Sequence, residues 1–266
     1  MKPIVRNAIL VATLIVLPGC PSQQVLMTPD DRLSLSSQPH IIAIHYPPEE
    51  IFRLRYPGEI LGGPFVTLAA QYEAARLKRD LRLEDPALDV KDRLVNALRA
   101  NFNITKVRTV SEYPHTNIAF ETYMEARRAG SALDVETSRR MLDSTLKETF
   151  QTGVVLEVQT RRWMLESARV VYSARARLLR VADSAVIWQG ICVHVSEVHV
   201  SDVPALAERR IPHPTIAEQP ASQLMKEELE ANDGKLLKAK LREAADGCAD
   251  KLLSGWAVGK VSQPNR

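Results

Sequence analysis

Apolar positions along this chain follow three patterns, and each predicts a different element. One is a continuous run near the start. Ala8 to Leu17 is apolar over ten residues, broken only by Thr13. As a helix it would be about 15 Å long, half the thickness of a bilayer core, so it is too short to span one. With Lys2 and Arg6 before it, the run has the build of an export signal.

The second pattern has a period of about four and predicts amphipathic helices. Phe65 to Leu83 reads as one, with Leu68, Tyr72, Ala75 and Leu81 near one face and Arg76, Lys78, Arg79 and Arg82 solvated. A second starts at Asp85-Pro86, where Asp caps free amides and Pro suits the first helical position, and continues through Leu94, Leu98 and Phe102. In a third, Asp134 caps and Leu142, Leu146 and Phe150 form the stripe; Gly153 ends it. The last, Asp233 to Trp256, carries Leu237, Leu241, Ala244, Cys248 and Leu252 on one face.

The third pattern is short or alternating and predicts strands. His40 to Tyr46 is nearly continuous in branched residues, the mark of a strand buried on both faces, and is stopped by Pro47-Pro48. Ile104 to Val110 is a second strand. Val154 to Leu165, Arg169 to Val181 and Ala185 to Val195 follow with a tight turn at Asp183-Ser184, and predict an antiparallel meander. In its middle strand Val170, Tyr172, Ala174, Ala176 and Leu178 point one way, and Arg169, Ser173, Arg175 and Arg177 the other. Asn117 to Arg128 reads equally as a helix or as a strand and turn.

The order is strand, helices, strand, helix, three strands, helix. That predicts an α/β fold of the α+β type: a mixed sheet with an antiparallel three-strand meander, helices on one or both faces, and the C-terminal helix stapled to the sheet. The expected organisation is a signal at 1–19, a lipidated Cys and flexible tether at 20–39 and a single domain at 40–257. A Pro-rich excursion at 196–222 interrupts the domain, and a polar tail at 258–266 follows it. Glu49 to Pro64 reads as irregular, with Gly58, Gly62 and Gly63 as turns; no Lys-Ser or Lys-Thr follows them, as a phosphate-cradling loop requires.

Charge narrows the function classes. Residues 1–19 hold two cations, Lys2 and Arg6, and no acid, so the chain from Cys20 on has 33 cations against 32 acids. A near-neutral chain does not argue for a nucleic-acid partner. Cys192 and Cys248 form an even pair beside Cys20, and in an oxidising compartment they read as a disulfide; two buried thiols or half a metal site are the other readings.

Leu17-Pro18-Gly19-Cys20 resembles the lipobox of bacterial lipoproteins. That resemblance implies cleavage before Cys20, diacylglycerol on its sulfur and a membrane anchor through lipid. Pro21, rather than Asp, follows the Cys, which by the same resemblance implies the outer membrane, periplasmic side. The order of elements resembles the small α/β domain of the curli-secretion lipoprotein and of the TolB amino-terminal domain. A set of uncharacterised Gram-negative lipoproteins is similar in Trp188-Gln189-Gly190-Ile191-Cys192, Asp233-Gly234-Lys235-Leu236-Leu237-Lys238 and Ala244-Ala245-Asp246-Gly247-Cys248-Ala249. These motifs mark a scaffold and carry no chemistry of their own.

No catalytic pattern stands out. His194 and His199, five apart, face opposite ways on a continuous strand, and His213 lies between prolines, so a metal site is not expected. No Gly-x-Ser-x-Gly elbow is present, Cys192 and Cys248 do not make Cys-x-x-Cys, and no cofactor motif is found. The candidate for partner binding is the expected polar face of the meander, where Arg161, Arg175 and Arg177 lie with Trp163 near them; Arg and Trp are favoured at protein contact centres. The expected function is non-enzymatic binding or assembly of envelope components. The alternatives are a subunit of an oligomeric secretion apparatus and a periplasmic enzyme with an unrecognised site.

Overall fold

The computed structural model describes residues 25–55, 59–110, 122–123, 125–126, 129–166, 169–198 and 218–257. The expected export signal, Cys20, most of the expected Pro-rich excursion, His199, His213 and the expected tail lie outside the described residues, as does most of the ambiguous Asn117 to Arg128; Thr122, Tyr123, Glu125 and Ala126 of that stretch are helical.

The elements run α1 (Pro29–Ser36), β1 (His40–Tyr46), β2 (Arg53–Arg55), α2 (Glu59–Asp80), α3 (Ala87–Phe102), β3 (Lys106–Val110), α4 (Ala132–Phe150), β4 (Val154–Glu166), β5 (Arg169–Arg180), β6 (Ala185–Glu197) and α5 (Glu218–Ala257). The six strands form one mixed sheet in the order β3-β1-β4-β5-β6, and β2 pairs with the far end of β4. β1 runs parallel to β3 and to β4, and β4, β5 and β6 are the antiparallel meander.

Helices cover both faces. Even-numbered residues of β5, among them Tyr172, Ala174, Ala176 and Leu178, pack with Ile41 and Ala43 of β1 against α2, α3 and α5. On the other face Ile44, Tyr46, Val155 and Leu179 pack against Leu142 and Leu146 of α4 and against Tyr123. β1 is thus apolar on both sides, which is why its sequence reads as a continuous run.

Several expectations are corrected. Residues 25–39 are part of the body rather than a free tether. Val25 exchanges two 3.0 Å backbone hydrogen bonds with Gln189 of β6. Thr28 then opens α1 with a capping box, its hydroxyl accepting from Asp31 N–H, and Leu35 of α1 is fully buried. β2 and the first turns of α2 occupy the expected irregular region 49–64, and Gly62 and Gly63 lie inside the helix. The buried face of α2 is Ala70, Ala74 and Leu77, continued by Leu81 beyond the helix end, while Leu68 and Tyr72 are exposed. The alanines let the helix approach the sheet edge closely, which the larger side chains would prevent. Ser131, rather than Asp134, caps α4 and accepts from the Asp134 N–H.

α5 begins at Glu218, inside the expected excursion, and breaks at Ala231–Gly234. Asn232, Asp233 and Gly234 all have positive φ there. Gly234 sits at φ +68°, where a Cβ would stand 2.8 Å from Leu81 Cδ1, so both conformation and space call for glycine. The helix after the break lies across β5 and β6 and is bonded to the sheet through Cys192–Cys248, with Cα atoms 5.3 Å apart. Gly190 and Gly247 are the small residues that permit this contact: a Cβ at 190 would meet Leu252 Cδ2 at 2.8 Å, and one at 247 would overlap the His194 ring. The Trp188-x-Gly190-x-Cys192 motif thus has a packing basis: Trp188 is fully buried and stacks edge-on with Trp256 at 5.1 Å, Gly190 admits Leu252, and Cys192 takes the bond.

Candidate functional site

Alternation places Arg175 and Arg177 of β5 on the α4 side of the sheet, as expected, but neither is solvated. Arg177 is 3% exposed. It donates through Nε to Glu157 of β4 and through an NH2 group to Asp143 of α4 at 2.6 Å. Glu157 also accepts from Arg139 at 2.9 Å and from the Tyr46 hydroxyl at 2.9 Å. Two guanidiniums thus hold two carboxyl groups between strand and helix, a charge-balanced arrangement. Arg139 and Asp143 are four residues apart on α4, and Asp143 lies 3.4 Å from Arg139 Nε. Burial pushes the Asp143 carboxyl up to about 7; Arg139 opposes the rise and Glu157 adds to it.

Arg175 serves a second network. It donates to the Tyr123 hydroxyl at 2.7 Å and to Gln159 Oε1 at 2.8 Å, and lies 3.3 Å from Glu49. Gln159 in turn donates to Pro47 O at 3.0 Å. Both Arg139 and Arg175 stand over the Tyr123 ring, at 5.4 and 5.6 Å from its centre. These side chains tie the segment after β1 and the helical turn at Tyr123 to the sheet.

Arg161 and Trp163 are separated from this pair by a β-bulge. The register of β4 on β5 shifts between Thr160 and Arg162. An extra residue reverses the alternation beyond it. Arg161 therefore stays at the rim, 3.5 Å from Glu49. Trp163, expected on the polar face, instead lies on the α2 and α3 side beside Tyr172 and is fully buried. Its ring meets Phe52 edge-on at 5.3 Å, Lys78 Nζ sits 5.1 Å from its centre, and its Nε1 donates to Glu50 O. Of the four candidates, Arg175 and Arg177 are brought together, Arg161 joins them through Glu49, and Trp163 belongs to the core.

Sequence reasoning missed a polar chain on the α3 side. His45 Nε2 of β1 lies 2.7 Å from Asp85 Oδ2; Thr160 donates to Asp85 Oδ1; and the Thr160 and Tyr172 hydroxyls are 3.1 Å apart. Asp85 Oδ1 also accepts from the Ala87 N–H at the start of α3. Burial, with the nearby Asp85 charge, raises Tyr172 well above its usual value. Both Asp85 oxygens are engaged, so this carboxylate ties the start of α3 to β1 and β4. The Asp85-Pro86 helix-start signal was its only trace in the sequence. A cavity of about 300 Å³ beside it is lined by Arg82, Asp85, Asp89, Lys238 and Arg242 among others, and burial raises Asp89. Its charges are mixed in sign. Among the described residues no group of three His, Cys, Asp or Glu side chains is placed to hold a metal ion.

No protein-family model and no curated protein matches the chain. Among solved structures it is similar to the PelC dodecamer from Paraburkholderia phytofirmans, at 11% identity over 88% of this chain and 96% of that one, with a TM-score of 0.31. It is similar to lipoprotein GNA1162 from Neisseria meningitidis, at 15% identity over 64% and 92%, TM-score 0.26. The LpoB C-terminal domain from Salmonella enterica matches at 13% identity over 59% and 83%, TM-score 0.23.

Proposed function

We propose that this protein is a lipid-anchored lipoprotein of the outer membrane, facing the periplasm, that works by binding envelope components and not by catalysis. The observation that carries the reading is Leu17-Pro18-Gly19-Cys20 behind a short apolar run. No helix among the described residues is long and apolar enough to cross a membrane. In this reading lipid on Cys20 supplies the attachment. The folded body supports a scaffold role. The clusters around Arg177, Arg175 and Asp85 are ion-paired or hydrogen-bonded internally, and the last helix is covalently held to the sheet.

Fractionation tests the anchor. In the parent bacterium the wild-type chain is expected in the outer-membrane pellet, and Cys20→Ser is expected to lose that attachment. Equal sedimentation of both would reject lipid on Cys20 as the anchor.

A further inference from the structure

We infer that the end of the sheet formed by β2 and the β4–β5 hairpin binds a carboxylate-bearing polymer of the envelope. Two Arg–Glu–Arg triads stand there. Glu50 is shared by Arg53, at 3.7 Å, and Arg162, at 3.4 Å. Glu166 is shared by Arg55, at 3.1 Å, and Arg169, at 3.7 Å. Each triad sets two cations against one acid. All four arginine side chains are about half exposed, at 45–54%, whereas the shared glutamates are only 26–27% exposed. The cations therefore face solvent and the acids sit beneath them. This is the reverse of the charge-balanced, buried cluster at Arg177.

Alternation puts the four on one face. Leu54 between Arg53 and Arg55 is buried, so the two arginines point together away from α2. Arg162 pairs in register with Ser173, and Arg169 lies on the same side of β5 as Ser173 and Arg175. Arg53 and Arg55 are two residues apart on one strand, about 7 Å. Glu197 of β6, opposite Arg169, is the neighbouring acid. With Glu197 counted, four cations stand against three acids at this end of the sheet, a local excess of one positive charge.

Repeated forks at that spacing suit a ligand with repeated negative charge better than a single small anion. Guanidinium forks match planar oxyanions. Each of these four already engages a carboxylate, so an incoming carboxylate meets the geometry the site uses.

The position favours a polymer over the bilayer, a point that rests on the anchor proposed above. The chain joins the sheet at Val25, opposite Gln189. Glu197, at the arginine end of β6, is eight residues further, about 27 Å along the strand. Cys20 is five residues before Val25, a reach of at most about 18 Å. An anchor with that reach falls short of the arginine end, about 27 Å from Val25.

The test uses the full chain in mild detergent and immobilised polygalacturonate, polyphosphate and neutral dextran, with phosphatidylglycerol vesicles as a fourth arm. Expected is salt-sensitive binding to polygalacturonate that Arg53→Gln/Arg55→Gln/Arg162→Gln/Arg169→Gln weakens about tenfold or more. A control removing four exposed cations elsewhere, Arg99, Lys106, Arg140 and Lys235, is expected to bind as wild type does. If the fourfold variant unfolds, Arg55→Gln/Arg169→Gln, around one glutamate, carries the test with an expected loss of about threefold. No binding to polygalacturonate, equal loss in the control, or tighter binding to polyphosphate or vesicles would overturn the inference. These readings do not involve Cys20, so failure of the anchor and failure of the polymer site are separately visible.

Discussion

The bond between Cys192 and Cys248 offers the sharpest test of how the C-terminal helix is held. The two residues are 56 apart in sequence. In the chain-entropy treatment, closing a loop of that size removes about 4 kcal/mol of freedom from the unfolded chain. Both cysteines are buried at 2% exposure or less, so replacing them by alanine also removes packed sulfur, worth roughly 1 kcal/mol more. The expected loss for Cys192→Ala/Cys248→Ala is therefore about 4–5 kcal/mol. With a urea slope of about 3 kcal/mol/M, the unfolding midpoint should fall by about 1.5 M. Tryptophan fluorescence is a suitable signal, because Trp188 of β6 and Trp256 of α5 touch across the same contact. Wild-type protein kept reduced should unfold near the double variant. A midpoint shift below about 0.3 M, or under 1 kcal/mol, would mean that packing alone docks the helix, and the stapling argument would be wrong.

Three further perturbations address the packing and the ion networks. Gly247→Ala should destabilise the protein by about 1–3 kcal/mol because its Cβ would overlap the His194 ring; adding His194→Ala should restore much of the loss, and simple additivity in urea melts would contradict the contact. Arg177→Ala should cost about 3–5 kcal/mol, since it leaves Glu157 and Asp143 competing for Arg139 in a buried site; an unchanged melting temperature would refute that role. In a carbon-detected NMR titration the Asp143 carboxyl should change state near pH 7, above the usual carboxylate range, and a midpoint below 4 would contradict its burial as the dominant influence.

The sheet and its principal helices were legible because their signals are periodic and local. β1 is apolar on both faces, the meander alternates, and α3 and α4 carry stripes every four residues, so each element announced itself. The misreadings have specific causes. A single bulge residue after Thr160 carried Trp163 to the opposite face, and no local pattern reveals a bulge. In α2 the alanines form the buried face, so a reading weighted by large apolar residues chose Leu68 and Tyr72 instead. The segment after Val25 looked polar because few of its apolar residues are buried: Met27 and Leu35 enter the core, and one bridge with the contacts of Asp31 and Arg32 completes the docking.

The candidate site was half legible for a related reason. Alternation correctly grouped Arg175 with Arg177, but burial of that face depends on α4 and Tyr123, which are distant in sequence. Their partners Arg139 and Asp143 carry no local signal that sets them apart from the surface charges of an amphipathic helix. The half-exposed arginines of β2 were hidden by their place in a three-residue strand inside an apparently irregular stretch.

The most direct measurement of the central claim is the mass of the N-terminal peptide from protein extracted from whole envelopes. The account predicts a chain that begins at Cys20 and carries thioether-linked diacylglycerol. A chain that retains residues 1–19, or begins at Cys20 without lipid, would contradict it.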